Sequence, residues 1–217
     1  MSSSPPVLRR FYAQYLTDEH SAGFVKRVSE RYTIATLERL AEQGSRESRR
    51  AATMSLGFLA DFASNTVLGR RLHDSDRGVR LLAENGLRDI WCRDGSDSQQ
   101  LWMRKLLRLN VSRQSSSAIE QASLLIDEAP WFAEAWNQRA IAYYRIGRYA
   151  DSAGDCHQTL ELNPYHFAAT VGMANCYLQL NDGHAALECF RRALKLNPSL
   201  ERVRTQAARL QRVLKRK

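Results

Sequence analysis

Three prolines stand 34 residues apart in this chain, and each closes a similar phrase. LELNP at 160–164 returns as LKLNP at 194–198, and a blurred copy, IDEAP, ends at Pro130. A fixed period in this range is typical of repeat proteins, in which one helical or β unit recurs and stacks on its neighbours. This periodicity constrains the fold more than any other feature of the sequence.

The repeated segment predicts a pair of helices. Good helix formers dominate, whereas the 217 residues contain only 5 prolines and 11 glycines. Each proline disfavours helical geometry at the residue before it and is tolerated where the next helix begins. The turns IGRY and NDGH carry Gly147 and Gly183, which permit the backbone to leave a helix. We expect helices over 133–145, 149–161, 167–179 and 183–195.

The two clearest units resemble the tetratricopeptide repeat (TPR) family. The matching residues are Trp136, Tyr143, Gly147, Tyr149 and Pro164 in the unit 133–164, and Ala174, Tyr177, Ala186, Phe190, Ala193 and Pro198 in the unit 167–198. A degenerate unit over 99–130 retains Trp102, Ala118 and Pro130, and its turn, VSRQSSS, is looser. Residues 199–217 predict the polar capping helix that ends such a stack.

The N-terminal half contains a second, shorter repeat. SRRAATMSLGFLAD (48–61) aligns with VRLLAENGLRDIWC (79–92) at a spacing of 31 residues, and each copy follows a shorter apolar helix, 33–43 or 63–73. The phrase LHDSDRGVRLLAENGL resembles the HEAT family, so that HEAT-like repeats are expected over about 33–92. Residues 7–31 predict one or two cap helices.

These segments predict an all-α fold, a right-handed α–α superhelix. HEAT-like repeats are followed by about three TPR units and a capping helix. The stretch CRDGSDSQQ (92–100) is rich in turn formers and predicts a junction. We therefore expect an N-terminal domain over 1–98 and a TPR domain over 99–217.

The sequence contains no recognisable catalytic or metal-binding pattern. The five histidines and four cysteines show neither HExxH nor CxxC spacing, and we expect surface histidines and a core cysteine at Cys156. No catalytic residue, metal or cofactor is predicted, and no small-molecule substrate. The N-terminus lacks the apolar run of a signal peptide, and no window reaches the ~18 apolar residues of a membrane span.

The TPR resemblance implies a groove lined by the first helices of successive units. The residues expected to face it are Glu134, Asn137, Gln138, Ile141, Arg145, Val171, Asn175, Leu178, Gln179, Thr205 and Arg209. Asn137 and Asn175 suit an extended peptide, because an amide both donates and accepts hydrogen bonds. Some TPR proteins clamp a carboxylate of heat-shock chaperones with basic residues, but the corresponding positions here hold Met103, Leu107, Ala168 and Gly172.

The predicted function is a non-catalytic scaffold that binds a protein or peptide partner. The predicted location is the cytoplasm of a bacterium. The alternative is a basic HEAT-type nucleic-acid-binding protein, since the formal net charge is +9. That alternative would need six arginines on one side, but helical spacing scatters them: Arg49, Arg50, Arg70, Arg71, Arg80 and Arg88. Most of that excess lies in the last 19 residues, which carry seven basic residues and one acidic residue. A single basic end is more typical of a solvated cap than of a nucleic-acid face. Whether the groove or the HEAT-like face binds the partner stays open.

Overall fold

The computed structural model describes residues 7–216, and these form 13 α-helices, one short 3-10 helix and no strand. The predicted all-helical fold is confirmed. The chain divides between Arg93 and Asp94 into two compact units, which we call the N-terminal unit and the C-terminal unit. None of the helices in the described part combines the length and apolar character needed to cross a membrane.

The N-terminal unit contains six α-helices and the 3-10 helix Phe62–Ser64. In chain order the helices are α1 (Val7–Asp18), α2 (Ser21–Ser29), α3 (Ile34–Gln43), α4 (Arg46–Leu59), α5 (Asn65–Arg71) and α6 (Arg77–Trp91). Hydroxyl or carboxylate caps fix three of the starts: Thr33, Ser45 and Asp76 each accept a hydrogen bond from a backbone N–H three residues on. Helices α3, α4 and α6 therefore begin where the chain supplies a capping side chain.

Helix α4 is the centre of this unit and packs against both α3 and α6. Phe24, Leu56 and Leu87 are fully buried around it. Gly57 and Gly86 meet where α4 crosses α6, and a Cβ added at either residue would lie 3.0 Å from the Cα of the other. The absence of side chains at this crossing lets the two helix backbones approach closely.

Paired ions join α4 to the turn that precedes α6. Arg49 donates two hydrogen bonds of 2.8 Å to Asp74, and Arg50 donates two of 2.7 Å to Asp76. Bidentate pairs of this kind fix geometry as well as charge. They tie together the two copies of the N-terminal repeat.

The C-terminal unit contains seven helices. They are α7 (Asp97–Val111), α8 (Ser115–Glu128), α9 (Ala133–Arg145), α10 (Tyr149–Leu162), α11 (Phe167–Gln179), α12 (Gly183–Leu196) and α13 (Glu201–Leu214). The predicted bounds of α9 to α12 agree to within one residue. The first helices approach their neighbours more closely than the second helices do, since α7 contacts α9 and α9 contacts α11. Residue 217 of the predicted capping segment lies outside the described residues.

The turns inside the three helix pairs share one geometry. Arg113, Gly147 and Asn181 stand 34 residues apart and have φ values of 58°, 80° and 61°. In each turn this residue and the next donate backbone hydrogen bonds to the end of the first helix. The turn VSRQSSS is therefore as regular as the other two, contrary to the looser turn expected from the sequence.

Candidate functional site

Three of the predicted groove residues are buried. Glu134, Asn137 and Gln138 are 5%, 6% and 7% exposed, because the starts of α9 and α11 adjoin there. Their side chains form hydrogen bonds with one another and with residues of neighbouring elements. The expectation that Asn137 presents a free amide to a peptide is therefore wrong.

The buried residues form a hydrogen-bonded network that we call the polar lock. Glu134 Oε1 accepts from Asn137 Nδ2 at 3.0 Å and from Gln138 Nε2 at 2.6 Å. Its Oε2 lies 2.8 Å from Nε2 of His166. On the other side, Asn110 Nδ2 donates to Gln138 Oε1 at 2.8 Å. The lock thus connects α7, α9 and the residue that precedes α11.

The chemistry of the lock follows from the His166 ring. Nδ1 accepts the backbone N–H of Ala169 at 3.0 Å, which leaves Nε2 as the protonated nitrogen that donates to Glu134. Burial alone raises the pKa of the Glu134 carboxyl, but the hydrogen bonds from His166, Gln138 and Asn137 outweigh it and hold that pKa below its ordinary value. The lock therefore contains one buried carboxylate surrounded by donors.

His166 corrects the prediction of surface histidines. Its side chain is fully buried, and its ring both caps α11 and pairs with Glu134 of the preceding unit. A sequence signal for it exists in retrospect. Glu134 is the second residue of one first helix, and His166 directly precedes the next first helix, so the repeat places the two at adjoining helix starts.

The other predicted groove residues keep accessible surface. Ile141, Val171, Asn175 and Leu178 are half-buried, whereas Arg145, Gln179, Thr205 and Arg209 are exposed. Within residues 7–216 the Asn175 amide has no hydrogen-bond partner. Val171 and Leu178 rest on the apolar core of the last repeats, so that only part of each side chain is covered. We call Ile141, Val171, Asn175 and Leu178 the open strip.

The cysteines of the C-terminal unit belong to its core. Cys176 Sγ donates to Ser152 Oγ at 3.1 Å, and Ser152 donates to the carbonyl of Ala140 at 2.8 Å. The hydrogen bond with Cys176, together with burial, raises the pKa of the Cys156 thiol. Cys156 therefore stays protonated in the core, as expected. Over the described part of the chain, no three His, Cys, Asp or Glu side chains form a group that fits a metal ion.

The arginines that a nucleic-acid face in the N-terminal unit would require are engaged within the unit. Arg49, Arg50, Arg70, Arg71 and Arg88 pair with carboxylates, and Arg80 donates to the carbonyl of Asp74. The two closest pairs are bidentate. Their positive charge is largely neutralised by side chains of the same unit.

Comparison with known proteins identifies the repeats. Residues 133–166 and 169–200 match the tetratricopeptide repeat family model. A TPR repeat-containing protein of Rhizobium etli is 27% identical over 130 residues, which are 60% of this chain and 63% of that protein. A protein SGT1 homolog of Bos taurus is 30% identical over 87 residues, 40% of this chain and 26% of that protein. The chain thus spans less than two thirds of the length of these relatives.

A solved structure supports the same fold. The first TPR of Spaghetti (RPAP3), bound to an HSP90 peptide, superposes with a TM-score of 0.53 at 20% identity and covers 55% of this chain and 95% of its own. At that identity the likeness concerns the fold alone. Together with the family matches it confirms that the C-terminal unit contains TPR repeats.

Proposed function

We propose that this protein is a non-catalytic scaffold whose C-terminal unit binds an extended segment of a protein partner along the open strip. The observation that carries the proposal is the Asn175 amide, which is half-buried on a first helix and has no partner in residues 7–216. An amide of this kind pairs with both the N–H and the C=O of a peptide backbone. The match of residues 133–166 and 169–200 to TPR repeats supports the proposal, because repeats of this family commonly serve as interaction modules.

The side chains around Asn175 suit a mixed apolar and polar segment. Ile141, Val171 and Leu178 offer partly covered aliphatic surface, while Arg145 and Arg209 are exposed cations on neighbouring first helices. A peptide that presents alternate apolar side chains would bury that aliphatic surface. The heat-shock carboxylate clamp is not part of the proposal, because its positions hold Met103, Leu107, Ala168 and Gly172.

The N-terminal unit is proposed to be a HEAT-like pair of repeats that supports the scaffold. The proposal rests on the 31-residue spacing and on the ion pairs Arg49–Asp74 and Arg50–Asp76, which join the two copies. The nucleic-acid alternative loses its main support, since the arginines that it requires are internally paired. A bacterial cytoplasmic location is also part of the proposal, supported by four free cysteines and the Rhizobium relative.

Site-specific photocrosslinking tests the proposal. A photoreactive amino acid replaces Leu178 in the open strip, and a matched variant carries it at the exposed Glu188 of α12, on the second helix of the same unit. We expect irradiation of cells to crosslink a defined polypeptide at position 178 and to give no such band at position 188. Equal crosslinking at both positions, or only at 188, would remove the open strip as the binding surface.

A further inference from the structure

A cavity lies at the edge of the C-terminal unit, apart from the open strip. It measures about 530 Å³ and is lined by Arg113, Ser115, Ser116, Arg145 and Ile146. The lining brings together the turn between α7 and α8, the first turn of α8 and the end of α9. The side chains of two arginines and two serines therefore line one space, and among the described residues no carboxylate belongs to its lining.

Several of these polar groups have no partner inside the described chain. Ser115 is only 9% exposed, yet its hydroxyl makes no hydrogen bond within residues 7–216. The Arg113 guanidinium and the Ser116 hydroxyl are equally unpaired there. The Ser115 hydroxyl keeps accessible surface and belongs to the cavity lining, so that it is free to donate to a ligand that supplies an acceptor there. Arg145 differs, because it donates to the carbonyl and side-chain oxygen of Asn110.

The start of α8 adds further donors. The residue before the helix, Gln114, provides no side-chain cap, and the first turn contains no acidic residue. The N–H groups of residues 115–117 thus have no acceptor among the described residues. The positive end of the helix dipole favours an anion at this place.

The other two second helices carry a carboxylate at their starts, although α10, like α8, has no side-chain cap. Asp182 caps α12 by accepting from the N–H of Ala185 at 2.9 Å, and α10 carries Asp151 in its first turn, paired with Arg148. Only the turn before α8 places an arginine, Arg113, in the left-handed conformation that Gly147 and Asn181 adopt in the other two. The left-handed backbone conformation is unfavourable for arginine and lowers the stability of the fold. Such conformations persist at functional sites, which is consistent with a binding role for the Arg113 side chain.

We propose that this cavity binds an oxyanion, either a phosphate or a carboxylate group carried by a partner or a small molecule. Arg113 supplies the charge, Ser115 and Ser116 donate their hydroxyls, and the N–H groups at the start of α8 complete the donor set. Arg145 borders the site while remaining bonded to Asn110. The proposed donors, Arg113, Ser115 and Ser116, are not among the residues proposed to bind the peptide, so the two sites are tested separately.

Nuclear magnetic resonance of the whole protein tests the site. Inorganic phosphate and acetate are titrated separately at constant ionic strength, and the amide signals of Ser115, Ser116 and Ser117 are followed. We expect saturable shifts confined to these amides and to Arg113. Saturation by phosphate alone indicates a site for a phosphate group, saturation by acetate alone a site for a carboxylate, and saturation by both a site that accepts either oxyanion.

Two variants give the controls. Arg113→Asn removes the cation at a position where Asn181 shows that asparagine fits the turn, so we expect the fold to persist and the affinity to fall at least about tenfold. Arg191→Gln removes an exposed cation from α12 and should leave the affinity unchanged. Shifts that fail to saturate with either anion, or an Arg113→Asn affinity equal to that of the unchanged protein, would overturn the proposal.

Discussion

The two units join their repeats by different polar interactions: partly exposed ion pairs in the N-terminal unit and the buried polar lock in the C-terminal unit. In the N-terminal unit, Arg50–Asp76 is the more exposed of the two joining ion pairs; its side chains are 36% and 10% exposed, so water screens part of the interaction. In the C-terminal unit, Glu134 and His166 pair with side chains that are 6% and 1% exposed, inside the polar lock. Removing one partner of the Arg50–Asp76 pair leaves a group that water reaches. Removing Glu134 from the polar lock leaves buried donors unsatisfied. The same task of joining neighbours thus carries very different penalties.

The largest effect is expected from breaking the polar lock. Glu134→Ala removes the acceptor of His166, Asn137 and Gln138 and should lower the free energy of unfolding by about 3–5 kcal/mol. The matched control is Glu120→Ala, at an exposed position on α8, for which a change within about 0.5 kcal/mol is expected. Urea unfolding followed by circular dichroism measures both. A loss below about 1 kcal/mol for Glu134→Ala would mean that the lock contributes little beyond its packing.

A smaller effect is expected at Trp136, which the TPR pattern assigns to the fold. Its indole N–H donates to the carbonyl of Pro130 at 3.0 Å, and the Arg139 guanidinium lies 4.9 Å from the centroid of its ring. Because Trp136 is only half-buried, Trp136→Ala should cost about 2–3 kcal/mol, below the range for a fully buried tryptophan.

Trp131 supplies the control for that prediction. It is 53% exposed, and Trp131→Ala should change the free energy of unfolding by less than about 0.5 kcal/mol. Thermal unfolding of both variants, with crosslinking at Leu178 measured in parallel, separates stability from binding. A Trp136→Ala variant that kept its melting temperature but lost the partner would make Trp136 a contact residue rather than a structural one.

Breaking the partly exposed Arg50–Asp76 pair should lower the free energy of unfolding by less than breaking the polar lock. Asp76→Asn breaks the bidentate pair with Arg50 but leaves that arginine partly hydrated, and we expect a cost of about 1–2 kcal/mol at neutral pH. The same measurement on Glu134→Ala provides the comparison. Equal losses of unfolding free energy in the two variants would contradict the difference between the partly exposed ion pair and the buried polar lock.

Acid should weaken the same pair. Hydrogen bonds from Arg50 lower the pKa of Asp76 from 3.8 to about 2. Since the folded state holds its proton less tightly than the unfolded state, this contribution to stability is present above pH 4 and is lost as the pH falls towards 2. Urea unfolding across this range should show a smaller pH dependence in Asp76→Asn. An unchanged pH dependence in that variant would place the acid-sensitive groups elsewhere.

The sequence predicted the helix pairs well, because the evidence for them is local. Prolines and glycines at a fixed period determine where helices end, and α9 to α12 begin and end within one residue of the predicted positions. The burial of Asn137 was not predictable in the same way. It depends on contacts that involve Glu134, His166 and Asn110, which lie on or next to the first helices of three successive repeat units. No local sequence pattern predicts such contacts.

The cavity beside α8 was likewise not predictable from local sequence patterns. Residue type normally reveals a left-handed turn through glycine or asparagine, as at Gly147 and Asn181, but Arg113 adopts that conformation without such a signal. The unpaired state of Ser115 likewise depends on what surrounds it and not on its spacing. Periodicity therefore predicts the repeats, whereas the groups that distinguish one repeat from another become visible only in three dimensions.

The affinity of the crosslinked partner segment for the open strip tests the account most directly. Fluorescence anisotropy with that labelled segment compares the unchanged protein with Asn175→Ala, Leu178→Ala and their combination, and Glu188→Ala serves as the control. We expect roughly tenfold or greater loss of affinity in the double variant, because partner backbone groups lose their hydrogen bonds, and no loss in the control. Unchanged affinity in the double variant, together with submicromolar binding of duplex DNA at about 150 mM salt, would contradict the scaffold and favour a nucleic-acid-binding protein.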